Sequence, residues 1–355
     1  MSRPPLSQPV AVGGQAVVEG VMMRTPAATS VAVRRPDGSL VVRVRIARRL
    51  SERYPILATP GLRGIAVLIE TLSDGISAIE FAASQLVEDA DRRAAASSRV
   101  ALAFSLLFSV GLAFVLFAVV PHAATLFAGD ILGLHGLSDG KSVAFHLVDG
   151  LVKVGLFLAF LSGISRLKDI RRVFEYHGAE HQAVHAYEAG LNPLPKNLSR
   201  FPTEHARCGT AFLITVIVVS VFLFAVVFPW LPDLSERRWV NQVFFVLLKA
   251  PLILPVAAVS YELIRLAARM PDRGLSAILS APGVLFQRIT TKRPDTSQQE
   301  VAVTALVAAL RPERILGTVS LPAPPERTAA VALEAIATFR DFAEFQSGVS
   351  REEGA

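Results

Sequence analysis

Val100–Val120 reads VALAFSLLFSVGLAFVLFAVV, an unbroken apolar run without a charged side chain that ends at Pro121. A run of that length crosses the hydrocarbon core of a bilayer as one helix, because only a helix satisfies its own backbone there. Three further stretches follow the same rule. Phe145–Leu161 qualifies despite Asp149 and Lys153, which stand four apart and neutralise each other on one helix face. Ala211–Trp230 is uncharged, and Val243–Leu266 carries Pro251 and Pro255, which invite a kink, and Lys249, which is expected to snorkel outward. With 355 residues of which 52% are hydrophobic, the chain is too apolar for an ordinary soluble enzyme. The fold class expected is mainly α: a polytopic α-helical membrane bundle of about four spans with a small N-terminal β-containing cytoplasmic subdomain.

Orientation follows from the basic residues. Arg34, Arg35, Arg43, Arg45, Arg48 and Arg49 are among those preceding the first span, whereas the loop 121–144 holds only Lys141. The loop after the second span is basic again through Arg166, Lys168, Arg171, Arg172, Lys196 and Arg200. Positive residues stay inside, so both termini and the loop 163–210 are expected in the cytoplasm.

Before the first span, Val10–Ile46 alternates in short β-like runs, with a Pro36-Asp37-Gly38-Ser39 turn between TSVAVRR and LVVRVRI. The alternation of Val with Arg in Val41–Ile46 suits a strand with one solvated face. Gly13, Gly14 and Gly20 are too irregular for a dinucleotide fingerprint. Glu19 is an isolated carboxylate among apolar neighbours. Pro60–Leu86 has helical apolar spacing interrupted by Glu70, Asp74 and Glu80 and reads as an amphipathic helix on the membrane surface, followed by a charged connector, Asp89–Arg99. The organisation expected is therefore 1–59 β-rich, 60–99 interfacial helix and connector, 100–270 the bundle with its His-rich loop 163–210, 271–310 an interfacial segment and a soluble helix, and 311–355 a variable tail. Within these, Leu275–Ile289 is expected to be interrupted at Pro282-Gly283, Asp295–Leu310 to be a helix with a Ser297/Glu300 capping box, and Glu326–Phe345 to be helical.

The chemistry concentrates in Tyr176–Gly190, YHGAEHQAVHAYEAG. His177, His181 and His185 are spaced four and four and share a helix face with Glu188, a metal-ligand arrangement. His177, Glu180 and His181 also spell H-x-x-E-H, in which two imidazoles bind zinc and the glutamate activates water. The plain alternative is the polar lining of a packing seam. A second cluster, Glu204-His205-Ala206-Arg207-Cys208-Gly209-Thr210, offers H-x-x-C, and Ser260-Tyr261-Glu262 with Arg265 returns to the same face, where Glu262 and Arg265 make a candidate ion pair.

The net charge of +6 comes without a stripe of interleaved aromatics, so the partner expected is the lipid bilayer and not nucleic acid. The single cysteine excludes an internal disulfide, and Met1–Pro9 has no apolar core of a signal peptide.

GGQAVVEGVMMR at Gly13–Arg24, YHGAEH at Tyr176–His181, RCGT at Arg207–Thr210, SYELIRLA at Ser260–Ala267 and PGVLFQRITTKRPD at Pro282–Asp295 together resemble the YqhQ-like family of bacterial membrane proteins, a domain family of unknown function. The resemblance runs from about Gly13 to Leu310 and departs at Gln182, where a lysine is frequent, and at Ala206, where proline is usual. It implies a multi-pass protein of the bacterial cell membrane and a predicted metal-dependent enzyme, without naming a reaction. The leading expectation is a divalent metal, zinc first, held by His177 and His181 with Glu180 as general base. The remaining ligand would come from His185, Glu188, His205 or Cys208, and hydrolysis is the favoured reaction class. The competing expectation is a non-catalytic membrane scaffold or assembly factor with a structural metal.

Overall fold

The computed structural model describes residues 10–46, 50–87, 99–205, 208–267, 275–316 and 333–350. Five strands form one antiparallel sheet in the order β1 (Gly13–Val17), β2 (Gly20–Arg24), β3 (Thr29–Arg34), β4 (Leu40–Ile46) and β5 (Leu333–Phe339). The expected Asp-Gly turn joins β3 to β4, with Arg34 opposite Leu40 and Gly38 at a positive φ of 88°. The helices that matter here are α1 (Leu62–Leu86), α2 (Arg99–Phe114), α3 (Val120–Leu132), α4 (Val143–Ile164), α5 (Lys168–Glu188), α6 (Gly209–Val227), α7 (Arg238–Ala267), α8 (Leu275–Thr290), α9 (Thr296–Leu310) and α10 (Phe342–Ser350).

The strand period of two sends alternate residues to opposite faces, and both faces are covered. Val21, Met23, Ala32, Leu40, Val42 and Val44 pack with Tyr176, Ala179 and Ala183 of α5 and with Val301, Ala305 and Leu306 of α9. On the reverse face Val17, Met22, Val31, Val33 and Val41 meet Ala78, Phe81 and Ala82 of α1. The expected solvated face of β4 is therefore an interface. Arg45 pairs with Asp74, Arg24 lies 2.5 Å from Glu70, and Arg43 donates to the Ser77 carbonyl at 2.9 Å. Two of the carboxylates that interrupt the apolar pattern of Pro60–Leu86 thus have partners in the sheet, Asp74 in Arg45 of β4 and Glu70 in Arg24 of β2.

Among the described residues, four helices are long and apolar enough to cross a membrane: Leu107–Leu132, Val143–Ile164, Phe212–Trp230 and Arg238–Leu266. The first runs past Pro121, where the sequence predicts its end. Proline lacks an N–H and its ring crowds the carbonyl four residues earlier; the helix widens into a π turn over Val115–Val119 and continues as α3. Pro251 and Pro255 lie inside α7, and Pro282 lies inside α8, which is continuous where an interruption is expected. Phe286 of α8 stacks on Phe157 of α4, ring centroids 5.3 Å apart, so this helix packs on the bundle. At Gly64, α1 crosses α7 so closely that a Cβ would lie 2.9 Å from Ala258 Cα.

Four further expectations are corrected. Lys249 does not snorkel; it is buried and bonded to Asp149 and His122. Glu262 pairs with Arg63 of α1 in place of Arg265, tying α1 to the fourth span. The capping box of α9 is Asp295 with Gln298, two residues earlier than Ser297/Glu300, because Asp295 takes the extended N-cap conformation. The tail expected as a helix over Glu326–Phe345 contains β5 and then α10, the alternation of Leu333–Phe339 being read by β4 as a fifth strand. Residues 326–332, most of the connector Asp89–Arg99, and Ala206 and Arg207 lie outside the described residues.

Phe345 of α10 is 1% exposed and stacks edge-on against Phe339 of β5. Its truncation to alanine should weaken the docking of β5 by about 3 kcal/mol and speed amide exchange along β4 by about two orders of magnitude. Unchanged exchange at Val42 and Val44 would show that α10 does not close this edge.

Candidate metal centre

Helix α5 enters directly from α4 through Ser165–Leu167 and carries ten buried residues within Tyr176–Ala186. Three elements hold it against the sheet. The two-residue β1–β2 turn puts Glu19 at a left-handed φ of 52°, and its carboxylate accepts from both the Arg172 guanidinium and the Tyr176 hydroxyl, the latter at 3.0 Å. Gly178 sits against the chain after α8, where a Cβ would lie 2.0 Å from the Lys292 carbonyl oxygen. Gln182 donates to the Phe201 carbonyl at 3.0 Å and accepts from Gln299 at 2.8 Å. Burial pushes the Tyr176 hydroxyl well above the usual phenol range, and Glu19 beside it acts in the same direction.

These contacts fix the histidines. His177 donates through Nδ1 to the Thr290 carbonyl at 2.8 Å, and His181 donates through Nδ1 to the Thr203 carbonyl. A neutral imidazole carries one N–H, so both Nε2 atoms present lone pairs, and second bonds of this kind orient imidazoles that bind metals. The His177 and His181 rings lie 4.4 Å apart, and the Cys208 thiol meets His177 Nε2 at 3.3 Å. Ligand atoms of His177, His181 and Cys208 all fall within 4.8 Å of one another. Glu180 Oε2 is 3.8 Å from His177 Nε2 and 4.0 Å from His181 Nε2. Glu180 Oε2 and His181 Nε2 are buried polar atoms without a hydrogen-bond partner among the described residues.

His185, Glu188 and His205 form an adjacent group with the same spacing of ligand atoms. The loop 189–205 folds back so that the His205 ring lies 4.4 Å from that of His185 and 5.8 Å from that of His181. Gln287 clamps it, accepting from the His205 N–H at 2.7 Å and donating to its carbonyl at 2.9 Å. His205 donates to Glu188 at 3.2 Å, and His185 donates to the Glu204 carbonyl at 2.9 Å. All seven residues singled out by spacing are thus brought together, in two sets of three with Glu180 beside the first. Ser260 and Glu262 belong elsewhere: Ser260 donates to the Val256 carbonyl, and Glu262 accepts from the Arg63 guanidinium.

Burial pushes the Glu180 carboxyl up to about 8 and holds His181 far below the usual imidazole range, with His177 adding to the latter effect. A neutral imidazole is the ligand form, and a cation at this point would restore the carboxylate charge that burial disfavours.

The residues missed by spacing are those that buttress the site. Gly14 of β1 is the nearest: a Cβ there would lie 2.5 Å from Glu180 Oε1. A glycine inside a strand marks close approach of another group, which was the available signal. The carbonyls of Thr203 and Thr290 carry no sequence signal at all.

The chain matches, over residues 59–312, the family described as "Protein of unknown function (DUF1385)". It is 30% identical over 318 residues to the "Uncharacterized protein YqhQ" of Bacillus subtilis (strain 168), a match covering 86% of this chain and 94% of that one. The chain belongs to this YqhQ-like family. No solved structure matches it.

Adding a methyl at Gly14 should cost about 1–3 kcal/mol by forcing Glu180 aside, whereas Gly13→Ala, with nothing within 4 Å of the new Cβ, should be silent. Thermal melting of both variants checks this. Equal effects would mean that Gly14 is not the wall behind Glu180.

Proposed function

We propose that the protein is a multi-pass membrane protein with a divalent-metal centre on its cytoplasmic face, and that this centre hydrolyses an amide or ester bond of a peptide or lipid substrate. The observation that carries the reading is the pair of buried, unpartnered atoms, Glu180 Oε2 and His181 Nε2, beside the lone pair of His177 and the thiol of Cys208. Leaving such atoms unpaired in a protein interior costs about 1–3 kcal/mol each; a cation held by His181 Nε2 would remove one cost, and a water on that cation, donating to Glu180 Oε2, would remove the other. Zinc suits two imidazoles and a thiolate. When bound, it would supply a water of lowered pKa. His177, His181 and Cys208 would hold it, and Glu180 would accept the proton of that water. His185, Glu188 and His205 would shape the neighbouring wall or hold a second ion.

A structural role is the second reading, and two distances favour it: Glu180 Oε2, 3.8 Å from His177 Nε2 and 4.0 Å from His181 Nε2, is near enough to both imidazoles to become a fourth ligand. Four protein ligands close a tetrahedron and leave no place for water. Metal analysis of two variants separates the readings. His181→Ala should lose the ion. Glu180→Gln keeps the size of the side chain but accepts no proton at neutral pH, so it should retain the ion; if it empties the site, Glu180 is a ligand and the scaffold reading stands.

The cytoplasmic placement rests on the arginines before the first span and the basic residues after the second. A reporter fused after Asp139 should report the outside and one fused after Asn192 the cytoplasm. The opposite pair of results would remove the site from the cytoplasmic face.

A further inference from the structure

The bundle buries a second polar centre that takes no part in the His-rich helix. Asp149 and Lys153 of α4, Lys249 of α7 and His122 of α3 are each less than a tenth exposed, and each lies in the interior of a helix able to cross a membrane. Lys249 Nζ is 3.2 Å from Asp149 Oδ2 and 3.2 Å from His122 Nδ1, while Lys153 Nζ is 3.4 Å from the same carboxylate oxygen. His122 Nε2 in turn lies 3.0 Å from Gln242 Oε1. An amide oxygen accepts only, so Nε2 bears the hydrogen and Nδ1 offers its lone pair to the Lys249 ammonium. One nitrogen of the ring is set to receive a proton and the other to release one.

Charge counting gives this arrangement a direction. Two ammonium groups share one carboxylate, which leaves one surplus positive charge where an unpaired ion is costly. When Lys249 loses a proton, the remaining Asp149–Lys153 pair is neutral. The centre therefore has two states that differ by one proton. The other titratable side chain packed here is His146, one turn from Asp149 on α4, enclosed by the rings of Phe145 and Phe228 and with neither ring nitrogen partnered among the described residues. The described part of α6 contributes Phe224, whose ring faces Lys153, and no ionisable group.

Water comes within one side chain of His122, at Gln242. Gln242 lines an open cavity of about 730 Å³ together with Asp139, Asp233, Glu236 and Asn241. It lies at the turns joining α3 to α4 and α6 to α7, which a 2.8 Å Lys141–Asp233 ion pair holds together. Successive spans run in opposite senses, so these turns occupy the end of the bundle opposite the one from which α5 continues. Gly140 makes room for the amide, since a Cβ there would lie 2.3 Å from Gln242 Oε1.

We propose that Asp149, Lys249, His122 and Gln242 form a proton-binding site inside the bundle, reached from water in this cavity and not from the face that carries α5. On release, the Lys249 Nζ–H bond breaks as His122 Nδ1 takes the proton. The Nε2–H bond then breaks toward cavity water as the Gln242 amide turns, its NH2 group afterwards donating to the freed Nε2 lone pair. Uptake runs the same steps in reverse and restores the starting tautomer, so one proton enters or leaves and no other reactant is consumed.

The movement carries charge part-way across the membrane, and that is what can be measured. Full-length protein in liposomes on a solid-supported electrode should answer a jump from mildly alkaline to mildly acidic buffer with a transient displacement of charge and no sustained current. Lys249→Met should abolish the transient. Gln242→Leu, which leaves the Lys249–Asp149 pair in place, should slow its rise, and this variant decides the matter if Lys249→Met fails to assemble. A wild-type protein without a transient, a transient undiminished by Lys249→Met, or a rise unchanged in Gln242→Leu would each overturn the proposal and leave the cluster as a structural ion network.

Discussion

Burial of a polar helix is the constraint on which the rest of this structure depends. From Tyr176 to Ala186, α5 presents tyrosine, histidine, glutamate and glutamine to an interior, and a polar group in an interior must be bonded or it destabilises the fold. The neighbours of α5 are arranged accordingly. The β1–β2 turn brings a carboxylate to Arg172 and Tyr176, the end of α8 and the loop 189–205 bring carbonyls to His177, His181 and His185, and α9 brings an amide to Gln182. Each of these partners comes from a different part of the chain, so the helix acts as the junction at which sheet and bundle are fastened.

The junction explains why the sheet is buried on both sides. One buried face already fixes the register of a strand, because a one-residue slip turns its whole apolar set to the other side, and a second buried face fixes it again. Here α5 and α9 fill one face and α1 fills the other. The second face is specified by charge as well as shape: Arg24, Arg43 and Arg45 each reach a group on α1. A one-residue slip in β4 would place arginine against Val301 and Leu306 and valine against Asp74. Gly14 adds a further condition, since β1 must lie close enough to leave no room for a side chain beside Glu180.

The spans, the β3–β4 hairpin and the residues of the candidate centre were all legible from residue order, because apolar length, a turn dipeptide and a four-residue histidine spacing are local signals. What was not legible depends on partners distant in the chain. The valine–arginine alternation of β4 looks solvated until α1 supplies Asp74 and the Ser77 carbonyl, and Leu333–Phe339 looks like part of a helix until β4 supplies an open edge. Lys249 looks like a snorkelling residue until Asp149 is found 100 positions away. Pro121 was misread for a local reason, since a π turn absorbs a proline that an α-helical register would not.

The two polar centres answer different physical demands. Around α5 most buried donors and acceptors have a partner among the described residues; Thr290 Oγ1 is one exception, and two others, Glu180 Oε2 and His181 Nε2, converge on one small volume. An isolated orphan would be a packing defect, whereas two that face the same imidazole and thiol define a place for a cation. In the spans the imbalance is of charge, with two lysines on one aspartate. Replacing buried ion pairs by apolar residues is often neutral or stabilising, so stability alone gives no reason to keep this cluster in helices that are otherwise nearly free of charge. The protonatable chain that links it to an aqueous cavity does supply one.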